Sequence, residues 1–215
     1  IYAVAGLSPH AVRIASLVAG TGLCVLLTLL ALRLFDRRAA LVAGLFAACF
    51  GPLLLFSAVP LKTIWSAVLL AGTTYAAVAT WERPDIPRTV CLGALFGLLG
   101  ATRPNALALA PVLAAIVFAA RFRGLHALPR ATILVATFAL GCALSLAPFV
   151  IRNYAVSGEA VIATSQAGFN FRIANDPDDP YPFFRPSPHA SGSPFEEGIQ
   201  FTIEASRRAG RRLTT

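Results

Sequence analysis

Residues 14–32 read IASLVAGTGLCVLLTLLAL and contain no charged side chain. As an α-helix rising about 1.5 Å per residue, this run is roughly 28 Å long, which matches the hydrocarbon core of a bilayer. Similar apolar runs follow it at residues 39–59, 63–81, 89–102, 106–120 and 131–151. The pattern predicts an all-α, polytopic bundle of about six transmembrane segments over residues 1–151.

Two of these segments, 89–102 and 106–120, are shorter than ordinary spans. They come from one apolar stretch that is too long for a single crossing, and Arg103-Pro104-Asn105 lies near its middle. Because a following proline disfavours helix at Arg103, we expect two short helices with a turn at this tripeptide. A second proline, Pro52, predicts a kink inside residues 39–59.

The composition excludes several classes of protein. Hydrophobic residues make up 57% and charged residues 13%, whereas soluble domains have about 45–50% and about 25%. A soluble globular domain, a disordered chain and a nucleic-acid module are therefore excluded as first interpretations. The net charge of +8 indicates membrane topology and contact with anionic lipid instead.

The arginines are distributed unevenly between the predicted loops. Loops 33–38, 82–88 and 121–130 contain eight arginines, whereas the opposite short loops contain only Lys62 and Arg103. Cytoplasmic loops are enriched in Lys and Arg, so the eight-arginine side is predicted to be cytoplasmic. Lys62, Arg103 and the whole of residues 152–215 are then extracytoplasmic.

The final segment, residues 152–215, differs from the rest in composition. It is rich in Pro, Ser, Gly, Asp and Arg and has no apolar run long enough to span a membrane. We expect an irregular external segment that ends in a short amphipathic helix. Ser193-Pro194-Phe195-Glu196 predicts the start of that helix, and Arg207, Arg208, Arg211 and Arg212 lie toward its end, where cations suit the helix dipole.

Three cations are predicted to share the external membrane boundary although they lie in different segments: Lys62, Arg103 and Arg152. Asn105 and Asn153 adjoin them in the sequence. Arg forms bidentate contacts with phosphate and Lys supplies a compact charge, so the set is typical of a site for a lipid-linked phosphate. The alternative is that each cation only extends to the water interface.

Other candidate features favour structural roles or leave two interpretations open. Residues 166–171, QAGFNF, and Asn175 combine amides with aromatics, which suits a sugar, although residue types alone favour a turn-rich loop whose aromatics pack on the membrane domain. Asp176 and Asp178 resemble a metal-binding pair, although an acidic turn explains them as well. No metal site is predicted from the histidines or cysteines, and a divalent metal cofactor is left open. Gly93 and Gly97 favour close helix packing.

Three stretches resemble bacterial GT-C membrane glycosyltransferases of glycosyltransferase family 39, relatives of the protein mannosyltransferases and of the aminoarabinose transferase. Residues 92–107, LGALFGLLGATRPNAL, are similar to the family's "GLLxGLxxLTRPNALL". Residues 148–154, PFVIRNY, with Gly158 resemble "PWxxRNYxxxG", and residues 167–177 resemble "GGxNxxxGNNP". The chain departs from the family at residues 61–63, LKT, where many members have "SE".

The resemblance implies a GT-C-like bundle in the bacterial plasma membrane that transfers a sugar from a polyprenyl-phosphate carrier. The acceptor would be a protein, lipid or polysaccharide on the extracytoplasmic face. Lys62, Arg103 and Arg152 would bind the carrier phosphate. The residues expected to bind sugar or acceptor are Asn105, Asn153, Asn170 and Asn175.

The family's catalytic carboxylate lies in the first external loop, and no acidic residue precedes Asp36 in this chain. We therefore expect the chain to be an internal piece whose catalytic carboxylate lies upstream. Two other functions are left open: a transporter or flippase of lipid-linked sugars, and an assembly subunit that binds them without catalysis.

Overall fold

The structure is a computed structural model that describes residues 9–59, 61–122, 124–158, 161–162 and 197–211. All regular secondary structure in these residues is helical, which confirms the all-α prediction. Short 3-10 helices occupy Pro104–Leu109 and Leu125–Ala127. The α-helices are α1 Pro9–Leu34, α2 Arg37–Cys49, α3 Gly51–Ala58, α4 Lys62–Glu82, α5 Ile86–Thr102, α6 Ala110–Arg121, α7 Leu128–Ser157 and α8 Glu197–Ala209.

Four helical segments of the described chain are long and apolar enough to cross a membrane: His10–Leu34, Lys62–Glu82, Pro104–Arg121 and Leu128–Val156. The helices α2 and α3 together form a fifth such segment, bent by 53°. The helix α5 is apolar but shorter. The protein is thus a multi-pass membrane protein, as the apolar runs predict.

The bend between α2 and α3 lies at Phe50, whose extended backbone interrupts the helix. Pro52 follows in the first turn of α3, where its missing N–H leaves no intrahelical hydrogen bond unmade. The predicted kink is therefore a complete helix break. A second break separates α5 from Pro104–Leu109, so the predicted helix 106–120 begins as a 3-10 helix and becomes α-helical only at Ala110.

Glycines hold α5 and α7 in close contact. A side chain at Gly93 would overlap the backbone carbonyl of Phe138, and a Cβ at Gly97 would lie 2.6 Å from the carbonyl oxygen of Cys142. Such small residues let two membrane helices approach backbone to backbone. The close packing that Gly93 and Gly97 predict is present.

The two helices α5 and α7 run parallel. Thr89 near the start of α5 shares a 2.7 Å hydrogen bond with Thr137, and Gly97, two turns further on, meets Ser145. Parallel neighbours require that the chain return between them, and residues 104–121 make this return. The two short segments predicted within residues 89–120 therefore run in opposite directions.

The helices α1 and α4 are also parallel. Gly20 of α1 lies against Ile64 near the start of α4, while Arg33 at the other end of α1 forms an ion pair with Glu82 at the end of α4, with a separation of 2.6 Å. The segment α2–α3 returns between them, since Gly44 contacts Thr28 of α1. Successive segments thus alternate in direction through the whole bundle.

This alternation gives the bundle two ends, which differ in charge. We call one of them the arginine end. The helix termini and connections at this end carry Arg33, Arg37, Arg38, Arg83, Arg88, Arg121 and Arg130. Arg123 belongs to the same loop as Arg121 but lies outside the described residues. We call the opposite end the rim end, where α3, α5 and α7 finish and α1 and α4 begin.

The chain divides into two compact units, residues 1–163 and 164–215. The described part of the second unit is α8, which confirms a helix in the predicted place. Ile199 and Ile203 are exposed one turn apart on α8, and Arg207 and Arg208 lie in its last turn. The predicted cap at residues 193–196 lies outside the described residues.

Candidate functional site

The three predicted phosphate-binding cations, Lys62, Arg103 and Arg152, all lie at the rim end of the bundle. Thr89 of α5 and Thr137 of α7 are in contact and differ by 48 in number. Continuing this register puts Arg103 at about the level of residue 151, one residue before Arg152. Gly72 of α4 lies against Leu95 of the antiparallel α5. Continuing that register puts Lys62 close to the same level. We call Lys62, Arg103 and Arg152 the cationic rim.

Lys62 is the first residue of α4 and its side chain is exposed. The N-terminus of a helix carries partial positive charge, so a lysine there is disfavoured by the helix dipole. The side chain makes no hydrogen bond or ion pair with any described residue. Neither helix stability nor a contact with another described residue accounts for a lysine at this position.

Arg103 ends α5, where its backbone N–H donates to the carbonyl oxygen of Leu99 over 2.7 Å. Its backbone carbonyl accepts a 2.9 Å hydrogen bond from the N–H of Ala106, which starts the 3-10 turn. The guanidinium is exposed, as is the side chain of Asn105. Pro104 causes this break because it disfavours helix at the preceding residue. The backbone thus fixes the position of Arg103 and leaves its side chain available.

Arg152 and Asn153 lie inside α7, which continues to Ser157, whereas the sequence predicts a span that ends at residue 151. The helix then ends at Gly158, whose φ of 73° is the left-handed conformation that glycine adopts readily. Arg152 is exposed, and Asn153 is half-buried. Both residues are therefore held on a rigid helix at the rim end.

Asn153 has a structural role that sequence reasoning missed. Its side-chain amide donates a 3.0 Å hydrogen bond to the backbone carbonyl of Val161, just beyond the end of α7. The interaction joins two residues eight positions apart, so no local pattern revealed it. Asn170 and Asn175, the other two predicted sugar or acceptor ligands in this part of the chain, lie outside the described residues.

A fourth cation at the rim end, Arg13, was also missed, because the sequence predicts a first span that begins at residue 14. The structure starts α1 at Pro9, so Arg13 lies in the second turn of that helix with an exposed side chain. Its position before the first apolar run was the signal that could have identified it. It makes no ion pair with a described residue.

The cations of the two ends differ in their access to carboxylates. Within the described part of the bundle every carboxylate is at the arginine end: Asp36, Glu82 and Asp85. There Glu82 pairs with Arg33, and Asp85 pairs with Arg88. The cationic rim and Arg13 have no such partner among the described residues.

An array of exposed cations at one end of the bundle, without carboxylate partners among the described residues, attracts an anion. Guanidinium and ammonium groups donate strong, charge-assisted hydrogen bonds to phosphate oxygens. The described residues contain no group of three or more His, Cys, Asp or Glu side chains able to hold a metal ion. The chemistry that the described cationic rim supports is therefore the binding of an anion by guanidinium and ammonium hydrogen-bond donors.

Comparison with known proteins adds no relative. No family model, no curated protein and no solved structure matches the chain. The likeness to GT-C glycosyltransferases thus depends on the three sequence stretches described above.

Proposed function

We propose that this chain is part of a membrane glycosyltransferase that uses a polyprenyl-phosphate-linked sugar, with the carrier phosphate bound at the cationic rim. The observation that carries the proposal is the absence of carboxylate partners for these cations within the described bundle, whose acids all lie at the arginine end. The three stretches that resemble the GT-C family supply the reaction type.

In this mechanism the apolar surfaces of the helices face the isoprenoid tail, and the rim faces its phosphate. An acceptor hydroxyl attacks the anomeric carbon of the sugar, the bond to the phosphate oxygen breaks, and polyprenyl phosphate leaves with the bond electrons. Lys62, Arg103 and Arg152 stabilise the negative charge that develops on the leaving phosphate. A general base takes the proton from the acceptor hydroxyl, and the resemblance implies that this base is a carboxylate.

Sidedness follows from the arginine distribution. The arginine end faces the cytoplasm under the positive-inside rule, so the rim end and residues 152–215 face the outside of a bacterial plasma membrane. A protein, lipid or polysaccharide acceptor would therefore be glycosylated on the extracytoplasmic face.

A transporter of lipid-linked sugars is the main alternative. Ion-coupled transporters place ionisable groups near the bilayer midplane. In the described helices of the bundle, α1 to α7, every Asp, Glu, Lys and Arg lies near a helix end, and none occupies the middle of a span. This distribution favours chemistry or binding at the rim over ion-coupled transport.

The test uses the protein expressed from its complete reading frame, purified in detergent and supplied with radiolabelled polyprenyl-phosphate sugars. We expect release of polyprenyl phosphate, reduced by about 10²-fold or more in Arg103→Ala if that cation stabilises transition-state charge. Arg130→Ala, an equivalent change at the arginine end, should retain activity. Release unaffected by Arg103→Ala, Lys62→Ala and Arg152→Ala would refute the assigned role of the rim. Saturable carrier binding without release would identify a flippase or an assembly subunit instead.

A further inference from the structure

A groove of about 320 Å³ lies between α1, α4 and α5, away from the cationic rim. This volume is at the lower end of the range for ligand sites, about 300–1,000 Å³. Its walls are formed mainly by aliphatic side chains, including Leu26 of α1, Val68 of α4 and Leu95 of α5. Gly72 contributes no side chain and thereby deepens the groove.

The length of the groove is close to the thickness of the hydrocarbon layer of one membrane leaflet. Along α4 its walls extend from Val68 to Ala79, which corresponds to roughly 17 Å at 1.5 Å per residue. One leaflet supplies about half of a hydrocarbon core of roughly 30 Å. The groove begins about a third of the way along α4 and ends toward the arginine end, so most of it lies at the depth of acyl chains in that leaflet.

The surface inside the groove is almost entirely apolar, and Arg88 is the one charged residue among the described residues that line it. Arg88 lies at the arginine end of the groove, level with Ala79 across the α4–α5 pair. The Nη1 group of Arg88 donates to Asp85 and to the backbone carbonyl of Arg83. Its Nε and Nη2 groups have no partner among the described residues, and a guanidinium has five N–H donors. Arg88 is therefore oriented by the protein and still able to bind an anion.

A second arginine is fixed beside the same end. Arg33 stacks on Tyr75, which lines the groove, with its guanidinium carbon 4.9 Å from the ring centroid. Nε and Nη2 of Arg33 donate hydrogen bonds of 2.6–3.0 Å to the carboxylate of Glu82. Arg83 adjoins them and makes no ion pair with a described residue. The surroundings thus contain more arginines than carboxylates, which favours an anionic headgroup over a zwitterionic one.

From this combination we infer that the groove is a binding site for one anionic phospholipid of the leaflet at the arginine end. An acyl chain lies along α4 between α1 and α5, and the phosphate contacts Arg88. This site does not depend on the proposed function, because it uses neither the rim nor a sugar donor. Its occupant is a bulk membrane lipid such as phosphatidylglycerol.

The test measures lipid retained by the purified protein with native mass spectrometry, after incubation in micelles with equal amounts of phosphatidylglycerol and phosphatidylcholine. We expect one retained lipid per protein, with phosphatidylglycerol preferred about fivefold, the effect of one arginine on an anionic headgroup. Arg88→Gln should abolish the preference, and Arg88→Lys should restore most of it. The matched control Arg130→Gln, at the same end of the bundle, should leave the preference unchanged.

A second pair of variants tests the groove itself. Ala79→Leu fills the groove beside Arg88 and should lower the retention of both lipids several-fold. Ala139→Leu makes the same change on an exposed position of α7 and should leave retention unchanged. Equal retention of the two lipids by the unaltered protein would overturn the proposal. A preference insensitive to Arg88→Gln, or retention insensitive to Ala79→Leu, would overturn it as well.

Discussion

Single glycines determine how closely α5 and α7 approach. Gly93 is completely surrounded, and a Cβ there would overlap the backbone carbonyl of Phe138, which has no rotamer to change. Gly22 of α1 is also inside a helix but has no atom within 4 Å of an added Cβ. Alanine substitutions at Gly93 and Gly22 therefore distinguish the cost of overpacking from the gain that comes from alanine's higher helix propensity.

Gly93→Ala should destabilise the protein by about 1–3 kcal/mol, because overpacking forces the backbones of α5 and α7 apart. Gly22→Ala should be neutral or stabilising, by about 0.5–1 kcal/mol, since alanine is the better helix former. Unfolding in mixed micelles with increasing denaturing detergent measures both. Equal stability of the two variants would show that the close contact at Gly93 is not present in solution.

Arg33 and Glu82 are the one described ion pair that joins two helices of the bundle. The guanidinium makes a fork-like contact with both carboxylate oxygens and also stacks on Tyr75. The side chains remain 27% and 42% exposed, so solvent and salt weaken their attraction. The geometry indicates a role in aligning the ends of α1 and α4 more than in overall stability.

Arg33→Glu and Glu82→Arg should each lower thermal stability, because each places two like charges at one position. The double variant should recover most of the loss, since it restores the opposite charges. Melting in detergent at low and high salt measures this, and the single-variant losses should shrink as salt increases. Additive losses in the double variant would contradict the pairing of α1 with α4.

At the scale of helices, α5 is the element whose placement matters most. It packs against α7 on one side and α4 on another, and it carries Arg103 at its end and Arg88 near its beginning. The candidate phosphate site and the lipid groove thus depend on the same helix. Its register with α7 is set by Gly93, Gly97 and the hydrogen bond between Thr89 and Thr137.

A double-mutant cycle on Thr89→Val and Thr137→Val should give a coupling of about 0.6 kcal/mol, the average for hydrogen bonds between membrane helices. Valine keeps the shape of threonine and removes only the hydroxyl. Thr132→Val, on an exposed side of α7, pairs with Thr89→Val as the control cycle and should show no coupling. Zero coupling in the first cycle would indicate a different α5–α7 register.

For the whole molecule, the alternation of directions makes a prediction about sidedness. Asn105 lies at the rim end and Arg130 at the arginine end, although only α6 and the connection after it separate them in the chain. A crossing by residues 104–121 puts them on opposite sides of the membrane. A shallow re-entrant excursion would leave Asn105 unreachable from the outside.

In a variant whose four native cysteines are replaced, Asn105→Cys should react with an impermeant maleimide applied from outside intact cells. Under the proposed sidedness, with the arginine end in the cytoplasm, Arg130→Cys should react only after the membrane is opened. Reaction of both from the same side would contradict the six-segment topology. An unreactive Asn105→Cys in opened membranes would indicate re-entry instead of crossing.

Some of the candidate site was accessible from residue types alone. The predicted membrane segments and the uneven number of arginines in their loops put Lys62, Arg103 and Arg152 at the same membrane boundary. The structure puts all three at one end of the bundle. Arg13 was missed because a helix end was misjudged by a few residues, and helix boundaries depend on contacts as well as on local preference. The hydrogen bond from Asn153 to Val161 depends on the position of a residue beyond the end of α7, which no pattern in residues 148–154 encodes.

Sequence by itself determined that this is a membrane-spanning, all-helical protein, because a long apolar segment satisfies its backbone hydrogen bonds in lipid only as a helix. It also determined which helix ends carry charge, since charged residues interrupt the apolar runs. Only the tertiary structure decided that α5 and α7 are parallel, that the bundle's described carboxylates lie at one end, and that a groove opens between α1, α4 and α5. These features depend on contacts between residues far apart in the chain, where glycine and threonine surfaces select one packing among several compatible with the same hydrophobic pattern.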